Sequence, residues 1–237
     1  MKAIATVIDN TFVGGASPTH FCKECGAMWR LWPNEGGWNL RSKECGKCCD
    51  NVPMGDQIEA MTHCFENGSL LQVGSSLGGG FFAGEMTVEG ERFALVVAPK
   101  AEGEKMNIEY KLKDRSVYDG TDSDDDGVVN TGKMIDSNHP AAQFCNGLQV
   151  GGFDDWYLPS RDELMTLWRN LGPRRKNTPE PFREDAAEAF ETEWYWSSTE
   201  YAHYSGYAWV VNFYLGYQDT NGKNYGCGVR AVRRLKI

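Results

Sequence analysis

The sequence predicts an α+β domain preceded by a small four-cysteine zinc ribbon. Three observations carry this reading. Cys22-Lys23-Glu24-Cys25 and Cys45-Gly46-Lys47-Cys48 stand 19 residues apart, a C-x₂-C-x₁₉-C-x₂-C pattern suited to one tetrahedral Zn²⁺. Ser160 and Glu163 form a capping box ahead of an amphipathic run. Trp194–Arg234 then reads as short strands and hairpins, with Asn, Gly and Ser between aromatic positions.

Composition narrows the function classes. Hydrophobic residues make up 41% of the chain, enough for a true core, and 27 glycines suit a loop-rich fold with β-structure. A net charge of −9 argues against general nucleic-acid binding, which needs a basic face. No run approaches the roughly 18 apolar residues of a membrane span. Residues 1–9 hold one Lys and a short apolar stretch but no signal-peptide h-region with a cleavage site. The expectation is a protein made in a reducing cytoplasm and released by a route other than secretion.

Residues 1–19 read as an N-terminal arm, broken at Gly14-Gly15. The ribbon follows at 20–51. Each C-x₂-C turns tightly and aims two thiolates at one ion, and Gly26 and Gly46 leave the backbone free to turn. Cys22, Cys25, Cys45 and Cys48 are therefore the expected zinc ligands, with Cys49 as the adjacent alternative; disulfides or a redox C-x-x-C are the competing readings. A closed four-cysteine site has no open position, so its expected role is structural. Residues 52–79 form a connector ending in Gly78-Gly79-Gly80, and no Gly-Lys-Ser/Thr follows to make a phosphate loop.

The main domain is placed at 80–237. Phe82–Val88 and Arg92–Val97 read as a hairpin turning at Glu89-Gly90. Asp122, Asp124 and Asp126 precede Gly127 at D-x-D-x-D-G spacing, which leaves open a Ca²⁺ site and, with more weight, a solvated acidic turn. The twelfth position of the calcium pattern is Lys133 where Glu is needed. Residues 131–146 look helical with an interruption at His139-Pro140, and a helix is expected from about Arg161 to Leu171. Arg174-Arg175-Lys176 reads as a solvated loop tip, and 184–193 as a short acidic helix.

Seven of the ten Tyr lie in Trp194–Arg234, among small polar residues that binding loops also favour. On a strand over 208–214, Trp209, Val211 and Phe213 are expected to face the core, which turns Asn212 and Tyr214 outward. Asn221-Gly222 is a hairpin-turn signal. Trp156, Trp194, Trp196 and Trp209 are expected as core aromatics. The expected ligand face is Tyr201, His203, Tyr204, Tyr207, Asn212, Tyr214, Tyr217, Asp219, Asn221, Asn224 and Tyr225. An aromatic β-core with polar turns is the plainer alternative for any one of these Tyr.

Four ordered motifs carry a family resemblance: Gly-Gly-Phe-Asp-Asp-Trp-Tyr-Leu-Pro-Ser-Arg-Asp-Glu-Leu (151–164), Tyr-Trp-Ser-Ser-Thr-Glu-Tyr (195–201), Ala-Trp-Val-Val-Asn-Phe (208–213) and Val-Arg-Ala-Val-Arg-Arg (229–234). Over about 80–237 the chain resembles the Lcl C-terminal-like domain family, found in bacterial adhesins and in prophage genes near tail modules. The resemblance implies a C-type-lectin-like fold, related to the variable proteins of diversity-generating retroelements and to formylglycine-generating enzymes. It implies a ligand-binding face on the C-terminal sheet and loops. The ribbon lies outside it.

The reading that follows is a non-enzymatic binding module. Its expected role is receptor recognition on a phage tail, contacting a host cell-surface glycan or protein and docking on other tail or virion proteins through the N-terminal region. No nucleic acid and no membrane span are expected, and a homo-oligomer is left open. The first alternative is an enzyme related to formylglycine-generating oxidases, which here would need Cys145 and Cys227 to meet. The second is a zinc-ribbon protein or nucleic-acid adaptor.

Overall fold

The computed structural model describes residues 72–237, together with the backbone of five short strands before them. The chain divides into two compact units, Met1–Gly78 and Gly79–Ile237.

In the first unit the strands are β1 (Ala5–Val7), β2 (His20–Cys22), β3 (Met28–Asn34), β4 (Gly37–Ser42) and β5 (Glu59–Ala60). They form one sheet in the order β4-β3-β2-β1-β5. β3 and β4 make an antiparallel hairpin from Trp29↔Ser42 to Asn34↔Gly37, between the two C-x₂-C pairs in sequence. Cys25, Cys45 and Cys48, and the side chain of Cys22, lie outside the described residues.

The second unit is a mixed α+β domain. β6 (Ser76–Leu77) is the last strand before the division, and the first sheet of the second unit runs β14-β8-β7, built from β7 (Gly80–Val88), β8 (Glu91–Val97) and the C-terminal β14 (Val232–Lys236). The β7–β8 hairpin turns through Glu89 (φ 51°) and Gly90 (φ 83°), two positive φ values in succession, as a type I′ turn requires. The second sheet runs β12-β11-β10-β13-β9, from β9 (Glu104–Glu109), β10 (Trp194–Glu200), β11 (Tyr207–Asn212), β12 (Gln218–Gly222) and β13 (Gly226–Arg230).

Four helices accompany the sheets: α1 (Lys100–Gly103), α2 (Gly127–Gly132), α3 (Pro140–Asn146) and α4 (Arg161–Leu171). α4 begins at the expected residue because its capping box forms: the Ser160 hydroxyl accepts from Glu163 N, and Glu163 accepts from Ser160 N. Its buried stripe is Leu164, Leu167 and Leu171, which packs against β7 and β11. The close approach to β7 rests on Gly84 (φ 141°) at a β-bulge, where an added Cβ would lie 2.5 Å from Asn170 Nδ2. Among the described residues no helix is long and apolar enough to cross a membrane.

Four local expectations are corrected. Residues 131–146 hold only the end of α2 and, after a non-helical stretch over 133–139, α3; Pro140 at the start of α3 holds His139 at φ −118°, ψ 73°, outside the helical region. Residues 184–193 form no helix. Asp185 has φ 68°, and the segment instead sends Phe190 into the core, where it stacks on Phe213 at 4.3 Å between ring centroids. Asn221 and Gly222 keep negative φ and pair with Ala208 and Tyr207 at the end of β12. The turn falls two residues later, where Tyr225 N donates to Gly222 O, because the Lys223 side chain is drawn into the interior. Trp156 and Trp196 are buried as expected, but Trp194 and Trp209 are only half-buried; Val211 and Phe213 lie in the core, and so do Ala208 and Val210 from the opposite face of β11.

Candidate functional site: an exposed tyrosine face on a buried polar scaffold

The connection between β10 and β11 is wound by three backbone bonds. Tyr201 N donates to Tyr207 O (3.0 Å), Tyr204 N to Tyr201 O (3.1 Å) and Tyr207 N to Tyr204 O (3.0 Å). This winding sets three Tyr side by side. The rings of Tyr201 and Tyr204 stack at 6.2 Å, and Tyr204 meets Tyr207 at 6.4 Å. Tyr201 also meets Trp209 edge-on at 5.4 Å and His203 at 5.3 Å. Trp209 escapes the core because its face is covered by Arg161, whose guanidinium lies 4.9 Å from the ring centroid. Tyr204 is 67% exposed at the centre of this group.

Beneath it, the acidic turn is consumed by the scaffold. Asp124 pairs with Arg161 at 2.9 Å, and Asp162 N donates to the Asp124 carbonyl. Burial raises the Asp124 carboxyl above its ordinary range, with Arg161 opposing it. Asp126 caps α2 by accepting from Val129 N at 3.0 Å and pairs with Arg234. Asp122 is exposed. Two of the three carboxylates of the calcium-like spacing thus turn to separate arginines. Among the described residues no group of three or more His, Cys, Asp or Glu is placed to hold a metal ion.

The four motifs supply the buried frame. Trp196 Nε1 donates to Ile108 O (2.9 Å) and Trp156 Nε1 to Val150 O (3.3 Å). The Tyr157 hydroxyl donates to Glu163 at 2.6 Å. Burial pushes the Glu163 carboxyl up to about 7, against the lowering effect of Tyr157, Ser160 and Arg234. Fully buried Arg230 donates to Ala98 O (2.8 Å), Glu104 (3.1 Å) and Glu188 (2.7 Å). Arg233 makes a two-bond pair with Asp155 at 2.6 and 2.9 Å. Glu200, at the end of β10, accepts from the backbone N–H of Asp119 and Thr121 and pairs with Lys223. Lys223 O in turn accepts from Tyr110 N and Lys111 N, which ties the 223–225 turn to the end of β9.

The other expected ligand residues separate from the Tyr201 group. Tyr214 and Tyr217 are exposed on the turn after β11, with Arg174 lying 4.5 Å over the Tyr214 ring. Asn212 is spent on that turn, its Oδ1 accepting from Tyr214 N and Leu215 N. Asn221 is turned inward, its amide donating to Cys227 Sγ at 3.4 Å. Asp219 is exposed and accepts from Thr220 N, while Asn224 and Tyr225 are exposed on the 222–225 turn.

Sequence reasoning missed Arg161, Trp168 and Arg174 as companions of these rings. Arg161 lies 48 residues from Trp209, Arg174 40 from Tyr214, and Trp168 48 from Gly216, which packs on its indole, so no linear spacing signals these contacts. Cys145 and Cys227 are both free and buried; burial raises both thiols, Cys227 to about 11, so neither is a thiolate near neutral pH.

These features define a class: an α+β domain whose buried charges and tryptophans hold a tyrosine-rich outer face. Residues 108–233 match the model of the Lcl C-terminal domain, and the chain belongs to that family. No curated protein matches the chain significantly.

Proposed function

We propose that the chain is a non-enzymatic binding module whose C-terminal domain has a C-type-lectin-like fold and recognises a receptor on a host cell surface, glycan or protein, as part of a phage tail. One observation carries this reading. Most motif side chains, among them Trp156, Glu163, Trp196 and Arg230, are spent inside on the scaffold, while Tyr204 and Tyr207 stand exposed on the hydrogen-bonded connection that follows half-buried Tyr201. Such a division suits a rigid frame presenting rings whose contact area costs little side-chain entropy. The Tyr201–Trp209 cluster is the proposed centre of the ligand face.

The N-terminal unit is proposed to dock on other tail proteins, held by one Zn²⁺ on Cys22, Cys25, Cys45 and Cys48. The β3–β4 hairpin between the two C-x₂-C pairs is the topology such a ribbon needs. The test is saturable binding of the labelled full chain to whole bacterial cells, with periodate treatment of the cells to destroy glycans and protease treatment to remove proteins. Loss after one treatment names the receptor class. Absence of saturable binding across a broad panel of hosts would contradict the reading.

A further inference from the structure

We infer that a second face, separate from the Tyr201 cluster, docks an acidic segment of a partner protein that carries apolar anchor residues. The face joins three pieces: the last turn of α4, residues 172–176, and the turn 213–217. Trp168 is its keystone. Gly216 lies flat against the indole, so close that an added Cβ would sit 2.1 Å from Trp168 Cζ2, and Arg175 covers the ring with its guanidinium 4.5 Å from the centroid. Arg174 lies the same 4.5 Å over Tyr214. Two guanidiniums are thereby held in place by aromatic rings; that of Arg174 is engaged by Glu184, while Arg175 is exposed and has no acidic partner among the described residues.

Charge is concentrated here against the trend of the chain. Arg169, Arg174, Arg175 and Lys176 are all exposed, on a protein of net charge −9. Only Arg174 has a carboxylate, accepting from its Nε at 2.6 Å: that of Glu184. Among the described residues no acidic side chain pairs with Arg169, Arg175 or Lys176. The Glu184 contact displays the chemistry the neighbouring guanidinium is free to repeat, a carboxylate received along its donor edge.

Two features favour a short acidic protein segment over a polyanionic polymer or an anionic bilayer. Leu215 (52% exposed) and Tyr217 (63% exposed) stand beside the cations and call for apolar contact, which protein side chains supply and a phosphate or sulfate backbone does not. The rest of the acidic chain repels an extended polyanion, whereas a segment confined to the patch lies within about one Debye length, roughly 10 Å, of the cations.

The probe is a fluorescein-labelled 14-residue peptide of Glu with Leu and Phe, set against the same peptide with Gln at every Glu. Fluorescence anisotropy with the full chain is read in 50 and 300 mM NaCl. The Glu peptide should bind at least ten-fold more tightly than the Gln peptide. Arg175→Glu/Lys176→Glu should lose that margin with an unchanged melting curve. Lys113→Glu/Lys236→Glu, the same change of charge placed elsewhere, should keep it. Equal binding of the two peptides, absence of binding, or an equal loss in the control variant each overturns the proposal. So does Arg175-dependent capture of heparin or phosphatidylglycerol vesicles without capture of the Glu peptide, which would assign the face to a polyanion or a membrane.

Discussion

Glu200 and Lys223 meet where neither side chain touches solvent. Around them sit Asp119, which pairs with Lys111 and lies 3.5 Å from Lys223, and the ring of Tyr110, 5.6 Å below the Lys223 ammonium. Two lysines and two carboxylates thus close a buried network that fixes the end of β10, the turn after β12 and the segment leaving β9. The tyrosine face is built on the connections leaving these points.

Lys223→Met should therefore cost about 3–5 kcal/mol, because it strands the Glu200 carboxylate in the interior. Lys223→Met with Glu200→Gln should cost less than that single change, since the stranded charge is gone. Urea unfolding of the two variants decides this, and equal losses would show that the pair is uncoupled.

Stability should also fall as pH rises through neutrality. The folded-state pKa of Glu163 stands at about 7, above its ordinary value of 4.5, so the folded protein holds a proton that the unfolded chain releases. The stabilising effect is complete below about 4.5 and is lost as pH climbs through 7, amounting to about 3 kcal/mol at most. Asp119 acts with the opposite sign. Burial alone would raise it, but hydrogen bonds from Lys111 and His139 outweigh burial and lower it, so its contribution is lost on acidification. Denaturation midpoints should decline from pH 5 to about 7 and level off above it, and Glu163→Gln should flatten the decline; an unchanged slope would remove Glu163 as its source.

Local chemistry was legible in the sequence wherever one turn of backbone decided the outcome. Ser160 and Glu163 define the start of α4 within four residues, and Glu89-Gly90 defines the first hairpin through two positive φ values. What could not be read depends on partners far along the chain. Residues 184–193 have an acidic helical look, yet Glu188 is claimed by Arg230 and Phe190 by Phe213. Lys223 reads as a turn residue until Glu200 draws it inward, and that displaces the turn expected at Asn221-Gly222. Trp209 alternates like a core residue, but its outer face receives Arg161. The clustering of Tyr was plain in the sequence, whereas its division into two groups followed only from the hairpin.

Trp196→Ala should cost about 3–5 kcal/mol, as removal of a fully buried ring and its bond to Ile108 O requires. Trp194→Ala, at a half-buried position, should cost clearly less. Chemical denaturation of both variants checks the order, and a reversal would place Trp194 at the heart of the core.

Purified protein should contain one zinc per chain by elemental analysis. Cys25→Ser/Cys45→Ser should abolish it, because each C-x₂-C pair loses a thiolate. Zinc retained at full stoichiometry in that variant would contradict the ligand assignment.

The most direct test of the binding account pairs a melting curve with cell binding for Tyr204→Ala/Tyr207→Ala. Both rings are exposed, so the variant should melt within a degree or two of the unaltered protein. Binding to host cells should fall at least ten-fold, since interface energy concentrates in a few aromatic anchors. A variant that folds and still binds host cells as tightly as the unaltered chain would contradict the claim that the tyrosine face is the receptor site.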